Sequence, residues 1–257
     1  MILAADNINP MNPAVAGAMD RLDPEPVREI ARKCEKTGVK YIDINPGYLT
    51  KRREDRMTFL VETVQEATSL NLILDSPDPG ILRAGLKACR RTPVLNALTG
   101  EDSKLSGILP LASEYGAELV ILLLNEKSVC PSGLEGKISL ALDLMEKAGS
   151  AGLGNDKIII DPVMPNITWP GAFQQIGECV RAIRILSTGA LTGMPVRTMI
   201  GLSNLLSGQR HPEKTLIEER TLLLLAGAGL DIALANVLNP ELINSFKSLS
   251  GIIQTSL

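Results

Sequence analysis

The chain is nearly without histidine, with His211 alone. A metal site built from several imidazoles is therefore excluded, and any Ser-His-Asp or Cys-His device would have to run through that one ring. Aromatic residues are scarce too, at 3 Phe, 3 Tyr and 1 Trp, too few for the stacking platforms that hold single-stranded nucleic acid. Neither sign of charge dominates. The 26 Lys and Arg stand against 29 Asp and Glu, a net charge of −3, so no footprint for a phosphate backbone exists. The longest apolar runs, Leu119–Leu124 and Leu222–Leu230, fall short of the roughly 20 residues that span a bilayer, so no membrane span is expected. Cys34, Cys89, Cys130 and Cys179 lie far apart with no Cys-x-x-Cys pair, which removes zinc and iron–sulfur spacing. They read as core or helix-stripe residues. The opening MILAADNIN lacks the basic region and long apolar core of a secretion signal, so the expectation is a cytoplasmic chain without disulfides.

What is present is a regular alternation. Short runs rich in Ile, Val and Leu occur at Ile2–Ala5, Tyr41–Ile44, Leu72–Leu74, Val94–Leu95, Leu119–Leu124, Ile158–Ile160, Thr198–Leu202 and Ile232–Ala235. Bounded by Gly, Pro, Asn and Asp, they suit parallel strands buried on both faces. Helical periodicity fills the gaps. Asp23 can cap a first helix with Pro24 in its first turn, Val27, Ile30, Ala31 and Cys34 as its apolar stripe, and Gly38 at its end. Ile138, Ala141, Leu142 and Met145 repeat the stripe, and Leu242, Ile243 and Phe246 begin another. Eight strands alternating with eight helices in about 250 residues is the size of a (β/α)₈ barrel. A doubly wound open sheet is the alternative, but neither G-x-G-x-x-G nor G-x-x-x-x-G-K-[ST] occurs in the chain. No linker or charge block interrupts it, so residues 1–257 read as one domain.

In such a barrel the active site lies where strands end. The ends carry Asp6, Asn7 and Asn9; Asp43 and Asn45; Asp75, Ser76 and Asp78; Asn96; Asn125 and Glu126; Asp161 and Asn166; Ser203 and Asn204; Asn236 and Asn239. Lys127 is the nearest cation. Taken singly, most of these are turn and cap residues. Taken together they form a mouth of acceptors and carboxamides. A carboxylate accepts paired hydrogen bonds from an amidine-like N–H edge, and a carboxamide reads ring nitrogens and carbonyls. The expected ligand is a neutral, flat, nitrogen-rich ring of the purine or pterin kind.

Asp-Ile-Asn at 43–45, Leu-Asp-Ser at 74–76, Asn96, Asp-Pro at 161–162 and Gly-Leu-Ser-Asn at 201–204, with the opening Ile-Leu-Ala-Ala-Asp-Asn-Ile-Asn, keep their order from residue 2 to about 245. This set resembles the pterin-binding methyltransferases that move a methyl group between tetrahydrofolate and a protein-bound corrinoid. The resemblance implies that Asp75, Asn96 and Asp161 hold the pterin, and that Asn204 stands at N5. It puts Asp43 and Asn45 on the same pocket, with Asp43 able to relay a proton, and makes Asn125 a secondary contact. It further implies tetrahydrofolate or 5-methyltetrahydrofolate as substrate, no metal on this chain, a corrinoid protein capping the barrel mouth, and a homodimer. Asn9, Arg210 and Arg220 are further candidates for folate or partner contact, and Trp169 for a lid. Asn236 reads as structural, and His211 as a surface residue.

Two features depart from that family. Its members carry Glu-Arg where this chain has Asp6-Asn7, and the segment Leu205–Glu219 is long. Lys51–Arg56 (KRREDR) reads as a solvated loop. Three rivals differ in class. Dihydropteroate synthase shares the barrel and the pterin pocket, but its strand-1 loop, Asn-x-Thr-Pro-Asp-Ser-Phe, is missing here. A Schiff-base lyase would need Lys127. A barrel that only docks a corrinoid protein would need no ring of acceptors.

Overall fold

The computed structural model describes residues 1–47 and 54–254, with side chains to residue 248. Eight parallel strands follow one another around a closed barrel: β1 (Ile2–Ile8), β2 (Tyr41–Ile44), β3 (Asn71–Asp75), β4 (Val94–Leu98), β5 (Glu118–Leu122), β6 (Ile158–Asp161), β7 (Arg197–Gly201) and β8 (Ile232–Ala235). Every expected strand is present within a few residues.

Nine helices surround them among the described residues: α1 (Pro13–Arg21), α2 (Pro24–Lys36), α3 (Glu54–Ala67), α4 (Pro79–Ala88), α5 (Asp102–Tyr115), α6 (Gly133–Ser150), α7 (Ala172–Thr188), α8 (Lys214–Ala228) and α9 (Pro240–Gln254). The helix outside the expected eight is α1. The Asn12 side chain accepts the Ala14 N–H at its start, and Leu22 at φ 53° ends it, but only Val15, Ala18 and Met19 are buried. So thin a stripe in an Ala-rich segment carries little periodicity. The helix begun by Asp23 is α2, with Val27, Ile30, Ala31 and Cys34 buried as expected.

In α6 the buried face is Lys137, Ile138, Ala141, Leu144, Met145 and Ala148, while Leu142 is exposed. Leu142 lies one residue, about 100° of helix, beyond Ala141, and so turns out of the stripe. Arg56 corrects the reading of Lys51–Arg56 as a solvated loop, because it is buried in the first turn of α3. Lys51, Arg52 and Arg53 lie outside the described residues.

Alternation of side chains along each strand divides the core in two. One set, including Leu3, Ala5, Ile42, Leu74, Leu95 and Ile160, packs outward against the helices. The other, Ala4, Ile73, Val94, Val120, Ile159, Met199, Ile232 and Leu234 with Tyr41, fills the barrel interior. Glu118 and Arg197 pair at 3.2 Å at the strand beginnings. The site follows from the same alternation. Two residues beyond the interior layer, the next inward positions are Asp6, Asp43, Asp75, Asn96, Leu122, Asp161, Gly201 and Asn236.

Candidate functional site

Strand register sets the depth of each polar group. Asp43 pairs with Ile73, one layer below the Asp75–Asn96 pair, and is 1% exposed, whereas Asp75 and Asn96 stand half-buried at the mouth. Asn45 Nδ2 donates to Asp75 Oδ2 at 2.7 Å, and its own Oδ1 accepts the Gly47 N–H. Asn96 donates to Asp43, whose Oδ1 has no partner. Asp6 accepts from Asn9 Nδ2 at 2.9 Å and from the Ser203 hydroxyl. Three carboxyls thus converge from β1, β2 and β3. Burial pushes the acidity of each down, Asp75 to a pKa of about 7 and Asp43 well above the ordinary carboxylate range, and their mutual repulsion adds to the effect on Asp43 and Asp75.

Asp161 stands alone at the end of β6. Burial raises its pKa to about 7, opposed by the backbone N–H of Val163, the charge of Lys137 and the N–H of Gly201. Its Oδ1 holds Val163 N at 2.8 Å. Val163 sits at φ 68°, a left-handed conformation that is rare for a β-branched residue and costs about 1–3 kcal/mol. Such strain persists where surrounding contacts fix the backbone, and here they do: Cys179 Sγ reaches the Val163 carbonyl at 3.2 Å and Lys137 Nζ the Pro162 carbonyl at 2.7 Å.

The exposed side chain of Asn204 makes no hydrogen bond to any described residue, and it lies in the 3-10 turn Leu202–Leu206. Gly201 makes room for it, since a Cβ there would lie 2.7 Å from Asn204 Nδ2. Asn166 fastens this turn from the neighbouring loop, donating to the carbonyls of Asn204 at 3.3 Å and Ser207 at 2.9 Å.

Hydrogen bonding sorts the polar strand ends into two groups. Asp78 and Asn239 cap α4 and α9, and Asn125 Oδ1 accepts the N–H groups of Lys127 and Val129 in its own turn. Asn7 donates to Asn236 at 2.7 Å and accepts from Val237, joining β1 to the end of β8. These are turn, cap and closure groups, as expected for Asn236. Asp6, Asp43, Asp75, Asn96, Asp161 and Asn204 keep oxygens or amide hydrogens for something else, with Asn9 and Asn45 bracing them. Asp6, which stands where the family carries Glu, faces the same mouth and is joined there by Ser203. The inward period from Ala4 was the signal.

Other expectations fall outside this ring. Arg220 is exposed in the middle of α8, away from the strand ends, and Arg210 is exposed in the loop before α8. His211 is exposed and accepts from its own loop. Trp169 stands 51% exposed in the loop after β6, and covers nothing. Lys127 is an exposed turn residue. The buried lysine is Lys137, 1% exposed, which the sequence reading passed over although it sits on the Leu134–Ile138–Ala141 face. Cys34 and Cys179 are buried as expected. Cys89, half-buried at the end of α4, packs against the core as expected, whereas Cys130 lies in the β5–α6 loop against Lys137 and is not a stripe residue. Among the described residues, no group of three His, Cys, Asp or Glu is placed to hold a metal ion, and no helix is long and apolar enough to cross a membrane.

A closed parallel barrel with uncommitted carboxyls and carboxamides around its mouth belongs to the class of barrels that grip a small polar ring at their strand ends. The pterin binding enzyme family model matches residues 7–234, and the chain belongs to that family. It is 26% identical over 256 residues to the methylcorrinoid:tetrahydrofolate methyltransferase of Eubacterium limosum, covering 98% of this chain and 91% of that one. It is also 26% identical over 227 residues to methionine synthase of Mycobacterium tuberculosis, covering 85% of this chain but 19% of that protein. In fold it is similar to the dihydropteroate synthase of Xanthomonas albilineans solved with 4-aminobenzoic acid, with a TM-score of 0.72 at 14% identity over 98% of this chain and 93% of that one.

Proposed function

We propose that this protein transfers a methyl group between a methyl-corrinoid carried by another protein and N5 of tetrahydrofolate. The observation that carries the reading is the ring of Asp75, Asn96, Asp161 and Asn204 at the barrel mouth, on a chain of the pterin binding family. Asp75 and Asp161 accept the N–H donors of the pterin's amidine-like edge, and that contact favours their ionised forms. Asn96 reads a further ring edge, Asn45 braces Asp75, and the free Nδ2 of Asn125 is a secondary contact. Asn204, on the only strand end whose carboxamide is wholly unengaged among the described residues, stands at N5. Beside the ring a groove of about 500 Å³ lined by Ser76, Asp78, Glu101, Lys104 and Ser128 leaves space for the rest of the folate.

The displacement needs no nucleophilic side chain. In one direction the N5 lone pair forms a bond to the methyl carbon while the Co–C bond breaks and its electron pair stays on cobalt, and the proton that N5 carried is released to water. The protein orients the reactants and excludes water. In the reverse direction the N5–C bond breaks, and N5 leaves as a neutral amine only with a proton on it. Asn204 donates to that nitrogen, and Asp43, held protonated by burial, is the proton source behind it. The corrinoid arrives on its own protein at the barrel mouth, where Trp169 and Phe173 (77% exposed) are available to it. The protein acts as a homodimer.

Calorimetric titration with tetrahydrofolate, 5-methyltetrahydrofolate and 6-hydroxymethyl-dihydropterin pyrophosphate tests the reading. Binding of the folates without the pyrophosphate supports it, whereas tight pyrophosphate binding indicates a dihydropteroate synthase. Folate binding without methyl transfer to any corrinoid protein leaves a docking barrel. For the N5 role, Asn204→Ala is expected to slow transfer about 100-fold or more with little loss of folate affinity, and equal losses in both would remove the role.

A further inference from the structure

Lys137 has no part in that chemistry, yet its side chain is almost wholly buried, in the second turn of α6 behind the end of β6. Nζ donates to the Pro162 carbonyl at 2.7 Å and to Cys130 Sγ at 2.8 Å. The Pro162 carbonyl carries no charge, and a buried ammonium calls for a negative charge. Four other titratable groups surround it. Cys130 comes from the β5–α6 loop, Glu178 and Cys179 from α7, and Asp161 from β6. Burial pushes the Cys179 thiol up to about 12, so it stays neutral at physiological pH. Glu178 is turned to the Gly133 N–H at 3.2 Å and to Gln174 at 2.9 Å, and Lys137 holds no part of its backbone. Asp161 remains. Its backbone neighbour Pro162 is the residue Lys137 grips.

We propose that Lys137 is a positioning residue for ring recognition. It fixes the Asp161-Pro162-Val163 turn, and from behind the strand it supplies the charge that keeps Asp161 anionic toward the pterin's N–H edge. This rests on the pterin reading above. The direction agrees with the acidity of Asp161, which Lys137 raises against the effect of burial. A neutral residue at 137 leaves Asp161 protonated across neutral pH, where a protonated carboxyl offers one acceptor fewer to the pterin. Seated behind the strand, Lys137 touches no ligand, so its effect is read through Asp161.

Lys137→Gln keeps an N–H donor for the Pro162 carbonyl and removes the charge. In the full-length protein without ligand, the Asp161 carboxyl, followed by ¹³C NMR and assigned with Asp161→Asn, is expected to titrate about one pH unit or more higher than in the wild type. Affinity for 5-methyltetrahydrofolate falls about tenfold at pH 7 and recovers as pH rises to 9. Lys137→Arg restores both. An unchanged Asp161 titration in Lys137→Gln, with a loss of affinity that is the same at every pH, overturns the proposal and leaves Lys137 a packing residue. Should Lys137→Gln not fold, Lys137→Arg decides: Asp161 titrating as in the wild type supports the charge role, and Asp161 titrating higher despite the retained charge overturns it. A wild-type protein that binds no folate at any pH sinks the pterin reading, while the ligand-free titration still judges the coupling of Lys137 to Asp161.

Discussion

Asp75 illustrates how the fold trades stability for a poised carboxyl. Its pKa is about 7 in the fold against 3.8 when unperturbed, chiefly through burial, so the folded state favours the protonated form. That contribution to stability is whole below about 3.8 and is lost as pH rises through about 7. Asp75→Asn, which can still accept from Asn45, is therefore expected to raise the unfolding free energy by about 1–2 kcal/mol at pH 8 and to leave it unchanged at pH 4. Urea denaturation at the two pH values checks this, and an equal gain at both would deny the role of burial. The same variant should bind folate at least about tenfold more weakly, because a ring N–H loses a charged acceptor. Gly201 gives a second prediction. A methyl group there collides with Asn204 Nδ2, the end of a side chain that can swing away. Gly201→Ala should therefore fold normally, by near-unchanged melting, and reproduce the kinetic defect of Asn204→Ala. Wild-type transfer in Gly201→Ala would show that the Asn204 amide need not lie where the fold puts it. The residues singled out from the sequence were legible because strand-end chemistry is dense here. What the sequence did not separate was turn from site: Asn125, Asp78 and Asn239 are the same residue types as Asn96, Asp75 and Asn204. Only their hydrogen bonds tell them apart: Asn125, Asp78 and Asn239 each hold N–H groups two to four residues on.

Among elements, the strands were the most legible and the helices the least even. Strands buried on both faces leave runs of Ile, Val and Leu that no helix shares. In contrast, α1 is short and Ala-rich, and its existence depends on the Asn12 cap more than on a stripe. Lys137 was hidden for a related reason. A lysine on an apolar helix face normally extends its ammonium to water, and the carbonyl that receives it lies 25 residues on, in a different βα unit. Barrel closure is another property of elements, and one bond bears on it visibly. Asn7 and Asn236 link the ends of the first and last strands at 2.7 Å, with Val237 N on Asn7 at 3.1 Å. Asn236→Ala should destabilise the fold by about 1–2 kcal/mol through the orphaned Asn7 amide, seen as a lower urea midpoint. Because the Asn236 oxygen is spent in the seam, on Asn7 Nδ2 and the Leu238 N–H, folate affinity should hold. A loss of affinity without loss of stability would place Asn236 in the site and not in the seam.

At the scale of the whole molecule, the proposed homodimer needs a surface, and α8 offers one. The run Leu222–Leu225 cannot face one way, because successive helical residues turn by about 100°. Leu222 and Leu225 point into the core, while Leu223 and Leu224 are 48% and 60% exposed, with Leu216 at 36% on the same helix. This is why no dimer stripe is legible in the sequence: a helix apolar on every side has no contrast by which to mark a second buried face. The inward leucines are explained by the barrel. The outward ones are not, and contiguous exposed leucine is the mark of a contact between molecules. A two-fold axis would set α8 against its own copy, so a single substitution enters the interface twice. Leu224→Lys then brings two charges together in an apolar contact and is expected to turn a dimer into a monomer in sedimentation equilibrium, with the fold intact by circular dichroism. Folate binding should survive, since the strand ends lie at the mouth and α8 presents Leu224 on its flank. A wild-type protein that sediments as a monomer, or a Leu224→Lys protein that remains dimeric, would move the contact elsewhere or abolish it.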